Sequence, residues 1–166
     1  IVGVAVLLIS LNIRGIYQNG FYTGVSSLFT VSSIITTTGY VSEDFGQWPL
    51  FSRNILLFLM FIGGSAGSTA GGIKVSRIVV LFKSALNQIR KALNPMRVTV
   101  NKMDGKRVDR DVEESINRYI LVYILLLIFF MMVITLDTDS FEAAFSTVAT
   151  TYNNVGPALV QFGPVE

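Results

Sequence analysis

Two short stretches of this chain have the composition needed to replace the water around a metal cation. One is Thr36-Thr37-Thr38-Gly39-Tyr40, and the other is Tyr152-Asn153-Asn154-Val155-Gly156-Pro157. A dehydrated monovalent cation is held by rings of oxygen, and extended backbone supplies them when successive carbonyls turn toward one axis. Glycine accepts the unusual dihedrals this requires, which makes Gly39 and Gly156 the expected pivots. Thr37 and Thr38 would add hydroxyl oxygens to the first stretch, while Asn154 and the backbone of Val155 would serve the second. The predicted ion-binding set is therefore Thr37, Thr38, Gly39, Asn154, Val155 and Gly156. Taken singly, either stretch could be a plain turn. Their occurrence twice, each after a short apolar helix, carries the reading.

Each stretch needs a half-helix that enters the bilayer and returns as extended backbone. Such a path is tolerated only inside protein or along water, because lipid satisfies no peptide group. The half-helices are expected at 21–35 and 140–151, with filter segments at 36–40 and 152–157. Their C-terminal ends, partially negative, would face the cation. Around them the chain is 51% hydrophobic and 14% charged, with a mean hydropathy of +0.58, which is too apolar for a water-facing surface. Charge-free runs from Asn54 to Ile73 and from Tyr119 to Leu136 approach the roughly 20 residues that cross a bilayer. The apolar stretch Ile1 to Ile13 is too short to cross alone and reads as the end of a further span; it lacks the basic start and cleavage site of a signal peptide. Most of the 13 Lys and Arg residues lie between Lys74 and Arg110, which puts this connection in the cytoplasm. Glu43, Asp44, Asp137, Asp139 and Glu142 then fall outside, where they would concentrate cations.

The expected order is a span end at 1–17, the first half-helix and filter, a helix at 53–93 broken at 63–72, a basic connection at 94–114 with a turn at Asp104-Gly105, a span at 115–136, and the second half-helix and filter within 115–166. This order repeats in outline. Aligning Gly39 with Gly156 matches Val31 with Val148 and little else, so the repeat is architectural. The fold class is an all-α integral membrane protein with re-entrant half-helices and extended filter segments. The chain has no cysteine or histidine, which removes thiolate and imidazole metal sites and His-based acid/base pairs. No nucleophile and base converge, so no enzyme and no cofactor are predicted. The basic stretch lacks interleaved aromatics, and no nucleic-acid partner follows.

The run Gly63, Gly64, Ser65, Ala66, Gly67, Ser68, Thr69, Ala70, Gly71, Gly72 favours a broken helix over a straight one. Gly63, Gly67 and Gly71 also fit the small-xxx-small spacing of close helix packing, and both readings stand at this level. No Gly-Lys-Ser/Thr follows, so the run is not a nucleotide phosphate loop. Lys74, just past it, is a candidate gating contact, with a snorkelling side chain as the simpler role.

The segments Ser33 to Tyr40, Trp48-Pro49-Leu50 and Leu59 to Val75 closely resemble the third repeat of the Trk-type potassium uptake proteins (the TrkH/KtrB family). Asn153-Asn154-Val155-Gly156-Pro157 is similar to the fourth-repeat filter of that family. The resemblance spans essentially the whole chain. It implies a pore of four M1-P-M2 repeats in a multi-pass protein of the bacterial inner membrane, of which this chain would hold the third repeat from late M1 and the fourth through its filter. It implies K+ as the transported ion at the six filter residues and a gating loop at 63–72. It also implies homodimerisation and a cytoplasmic, nucleotide-binding regulatory ring (TrkA/KtrA-like), for which the face from Lys74 to Arg110 is a candidate contact. The lipid bilayer and the remaining repeats of the same protein complete the partners. A sodium-permeable or ion-coupled cation symporter of the same superfamily is the nearest rival, followed by a membrane subunit that transports nothing. Serine in place of a filter glycine accompanies sodium permeation in plant relatives, and both positions here are glycine.

Overall fold

The longest helix begins where acidic residues gather, since Asp111 and Glu113 lie in its first turn and favour a helix N-terminus. In the computed structural model, which describes residues 1–17, 19–94, 102–103 and 106–158, the element order is α1 (Val2–Asn12), α2 (Gly20–Ile35), a 3-10 turn (Phe45–Gln47), α3 (Leu50–Phe61), β1 (Ile62–Gly63), β2 (Ile73–Lys74), α4 (Val75–Leu93), β3 (Lys102–Met103), β4 (Lys106–Arg107), α5 (Arg110–Ile134) and α6 (Phe141–Tyr152). Within α5, Asp111–Ile134 is long and apolar enough to cross a membrane, and it is the one such helix among the described residues. Its 24 residues rise about 36 Å at 1.5 Å each, enough for the hydrocarbon layer.

The charge-free run from Asn54 to Ile73 does not form a second continuous crossing. Helix α3 starts at Leu50, on Pro49 with φ −54°, and stops at Phe61. The glycines that follow leave the helix for a compact excursion, which closes where β1 and β2 pair in parallel, Ile62 beside Ile73 and Gly63 beside Lys74. Helix α4 resumes at Val75. The other elements differ from the sequence expectation at their ends. Helix α1 stops at Asn12, ahead of the turn around Gly15, and α5 takes in Arg110 to Glu114 from the stretch assigned to the basic connection. Within that connection β3 and β4 form a small antiparallel pair that periodicity over two residues could not reveal. The expected turn at Asp104-Gly105 lies outside the described residues, while α4 ends at Leu93 with Asn94 as its C-cap.

The core forms where α1, α2 and α3 meet and α6 closes over them. Ile9 of α1 and Ile13 just past its end, Val31 and Ile34 of α2, Leu56 and Met60 of α3, and Ala149 of α6 are buried together with Phe45 and Trp48 of the connecting loop. Ser52 of α3 donates to Asn12 Oδ1 of α1 at 2.7 Å. Trp48 Nε1 donates to the Tyr17 hydroxyl at 3.2 Å, and that hydroxyl donates to Glu43 at 3.3 Å, so the loop is pinned over the end of α1. Arg53 pairs with Glu142 at 3.3 Å, joining α3 to the first turn of α6. Helix α5 packs on α6 and on α4, where the Arg77 guanidinium lies 4.1 Å from the centre of the Tyr119 ring. Outward, Val4, Leu7 and Leu11 of α1 and Leu121, Leu125, Ile128 and Phe129 of α5 are exposed. An apolar exterior of this extent belongs in lipid or against further protein.

Candidate functional site

Helices α2 and α6 end in the same way. Asn19 caps the start of α2 by accepting from Phe21 N, and Ser140 caps α6 by accepting from Ala143 N. At the other end, the offset that carries Gly39 onto Gly156 also carries Ile35 onto Tyr152, the last residue of each helix. In the first turn Thr37 N donates to Ile34 O and Thr38 N to Ser33 O, both at 3.0 Å. In the second, Asn154 N donates to Thr151 O at 3.2 Å and Val155 N to Thr150 O at 2.9 Å. These are the paired 5→2 and 6→1 bonds of a Schellman cap, whose turning residue takes left-handed dihedrals and is usually glycine. Here that residue is Thr37, with φ 53°, and Asn154, with φ 54°. Two positions on, Gly39 has φ 74° and Gly156 φ 111°.

The caps decide where the carbonyls go. In a trans peptide the C=O of one residue points opposite to the N–H of the next. The N–H groups of Thr38 and Gly39 turn back to Ser33 O, the latter at 3.4 Å, so the carbonyls of Thr37 and Thr38 point away from α2. By the same argument the Val155 N–H bond turns the Asn154 carbonyl away from α6. No backbone N–H among the described residues donates to the carbonyls of Thr37, Thr38, Asn154 or Val155. The helix ends carry no basic residue in their last turns, so nothing offsets their partial negative charge. Oxygen-rich turns of this kind can accept a cation.

The two turns also meet. A β-carbon built on Gly39 would lie 2.3 Å from the Val155 carbonyl oxygen and 3.4 Å from Pro157 Cδ. Any side chain at 39 would push them apart. Val155 is 2% exposed, whereas Asn154 and Gly156 are open to the surface. Thr37 and Thr38 already use their hydroxyls in part: Thr37 Oγ1 accepts from Gly71 N at 3.1 Å, and Thr38 Oγ1 lies 2.7 Å from Thr36 Oγ1. Ser33 Oγ donates to Tyr40 O at 2.7 Å and closes the first turn behind Gly39.

Gly71 brings the glycine-rich excursion to the same place. Besides the bond to Thr37, a β-carbon there would sit 1.9 Å from the Asn153 carbonyl oxygen, so the two backbones are in direct contact. A β-carbon on Gly63 would lie 1.9 Å from Gly71 O, which shows why the neck between β1 and β2 needs glycine. Ser65 to Thr69 are exposed, Gly67 has φ 85°, and Gly72 has φ 70°. Gly64 and Ala70 flank that tip, and Ala70 N donates to Ser68 Oγ at 3.1 Å. Lys74 Nζ turns toward the excursion and donates to Ser68 O at 2.7 Å and to Ala70 O.

Sequence reasoning passed over two residues. Asn153 is fully buried and donates from Nδ2 to Ala149 O at 2.7 Å. Tyr123, in mid-α5, donates to Asn153 Oδ1 at 2.6 Å. The available signal was a hydroxyl-bearing ring inside an otherwise apolar span.

Residues 17–161 match the family model described as TrkH, cation transport protein. The chain is 35% identical over 147 residues to the Trk system potassium uptake protein TrkH of Escherichia coli (strain K12), covering 88% of this chain and 30% of that protein. It is 34% identical over 132 residues to the Trk system potassium uptake protein TrkG of the same strain, covering 80% of this chain and 27% of that one. The crystal structure of the potassium transporter TrkH from Vibrio parahaemolyticus superposes with a TM-score of 0.89 at 32% identity, over 98% of this chain and 35% of the other. The chain thus spans about a third of the length of the relatives it matches. With the match running through both glycine turns and the excursion between them, the chain belongs to the TrkH family of cation transport proteins.

Proposed function

We propose that this chain forms part of the K+ pathway of a Trk-type potassium uptake protein of the bacterial inner membrane, contributing two filter turns. The observation that carries the reading is the matched pair of caps: left-handed Thr37 and Asn154, each two residues before a positive-φ glycine, with Gly39 against the Val155 carbonyl. K+ enters from outside, exchanges water for the carbonyls of Thr37, Thr38, Gly39, Asn154, Val155 and Gly156, and leaves past the segment at 63–72. The names of the relatives, potassium uptake proteins, support K+ as the cargo. The test is uptake and competition between K+ and Na+ in the intact protein carrying Gly39→Ser or Gly156→Ser. We expect K+ over Na+ discrimination to fall by about tenfold or more, because a side chain at 39 cannot coexist with the Val155 carbonyl. Unchanged discrimination in both variants overturns the filter; Na+ transport by the unmodified protein would favour the sodium-permeable or symporter reading.

The segment from Gly63 to Gly72 is the gate in this proposal. Its contact with both turns through Gly71 and its closure by Lys74 support that role. Homodimerisation and a nucleotide-binding regulatory ring on the cytoplasmic side belong to the same reading. Arg90 and Lys91, exposed in the last turn of α4, are the contacts proposed for the ring.

A further inference from the structure

The two turns share a backbone but not a support. At the first, Thr36 stands where Asn153 stands in the second; its hydroxyl donates to Ser32 O at 2.6 Å and faces the surface. Asn153 is buried, and three elements hold it. Its Nδ2 is fixed to Ala149 O of α6, its Oδ1 accepts from Tyr123 of α5, and its backbone oxygen rests on Gly71 of the glycine-rich segment. Tyr123 is itself 6% exposed and is held by the Tyr152 ring, 4.9 Å away, and the Tyr119 ring at 6.1 Å. Most of the mid-span side chains of α5 are exposed, Leu121, Val122, Ile124 and Leu125 among them, so one buried phenol aimed at a filter turn is a specific arrangement.

We propose that Tyr123 is a positioning residue for ion discrimination: by locking Asn153 it fixes the second turn, and with it the distance between the Val155 carbonyl and Gly39. The proposal rests on the filter reading above. Its physical basis is leverage. Asn153 immediately precedes the left-handed Asn154, so a change in its rotamer or backbone rotates the peptide that carries the next carbonyl. Small cations differ in radius by fractions of an ångström, so a turn free to relax would fit either one. The first turn is held differently, by Gly71 N on the Thr37 hydroxyl and by Ser33 on Tyr40.

The experiment uses the intact transporter in proteoliposomes and measures K+/Na+ competition for Tyr123→Phe, Asn153→Ser, the double variant and Gly39→Ser as control. Phenylalanine keeps the ring packing and removes only the donor. We expect Tyr123→Phe to lower discrimination by about three- to tenfold, the scale of one intramembrane hydrogen bond, with K+ flux retained. Asn153→Ser draws the acceptor back from Tyr123 and also drops the bond to Ala149 O, so it should lower discrimination at least as far, and the double variant should lose no more than Asn153→Ser alone. A merely structural role would lower protein yield and leave the ratio unchanged. Wild-type discrimination in both single variants, beside a collapsed ratio in Gly39→Ser, overturns the positioning role and leaves the filter reading standing. An unchanged ratio in Gly39→Ser as well overturns both.

Discussion

Thr37 occupies a conformation that β-branched residues avoid, and the structure shows what its hydroxyl does there: it accepts from Gly71 N. Left-handed dihedrals cost about 1–2 kcal/mol without glycine, and a neutral hydrogen bond returns about 1 kcal/mol. Thr37→Gly should therefore change the stability of the solubilised protein by less than about 1 kcal/mol, as read by thermal unfolding, while ion discrimination falls. A large stability loss would mean that the hydroxyl serves packing alone. The glycines at 39 and 156 were legible in the sequence because only glycine tolerates their dihedrals cheaply. The left-handed turns at Thr37 and Asn154 were not, since the usual mark of a Schellman cap is absent at both. Asn153 was hidden beside Asn154. Which of two adjacent amides is buried depends on where α6 ends, and that is decided by packing against α3 and α5.

Among the elements, the interrupted helix was the clearest signal and also misled. Glycine content announced the break, but the absence of charge from Asn54 to Ile73 suggested a crossing that α3 abandons at Phe61. Charge counting measures solubility in lipid and says nothing about dihedral preference. The pairing of β1 with β2 could not be read at all, because two-residue strands carry no periodicity and exist here only through the close approach of Gly63 to Gly71. Lys74 closes the excursion from its own end. Lys74→Met removes a charged donor from Ser68 O and Ala70 O, and a bond of this type is worth about 1.5 kcal/mol or more. K+ flux without regulatory stimulus should rise by about tenfold in the intact protein, and shortening the 63–72 segment should raise it further or abolish regulation. Unchanged flux and regulation in both would remove the gate.

Across the whole molecule, the match of both turns under one offset gives α2 and α6 the same C-terminal cap although their sequences share almost nothing. Buried positions in short helices accept many small and apolar residues, so architecture persists where identity fades. The family itself was legible, because three threonines leading into Gly39 and a ten-residue run of small side chains ending at Gly72 rarely fall together in one chain. The basic end of α4 offers the fifth test. Charge reversal at Arg90 and Lys91 should weaken binding of the proposed regulatory ring by about tenfold or more, at about 1 kcal/mol per exposed pair lost, and leave ion discrimination intact; undiminished binding in a pull-down would remove that contact. The neck formed by Ile62 and Ile73 reaches further. Since these residues lie side by side, α3 and α4 join almost as if what lies between were an insert. Descendants could lengthen, trim or restyle that insert while the pairing that joins α3 to α4 stays in place, so the helices and the insert are free to evolve on separate clocks.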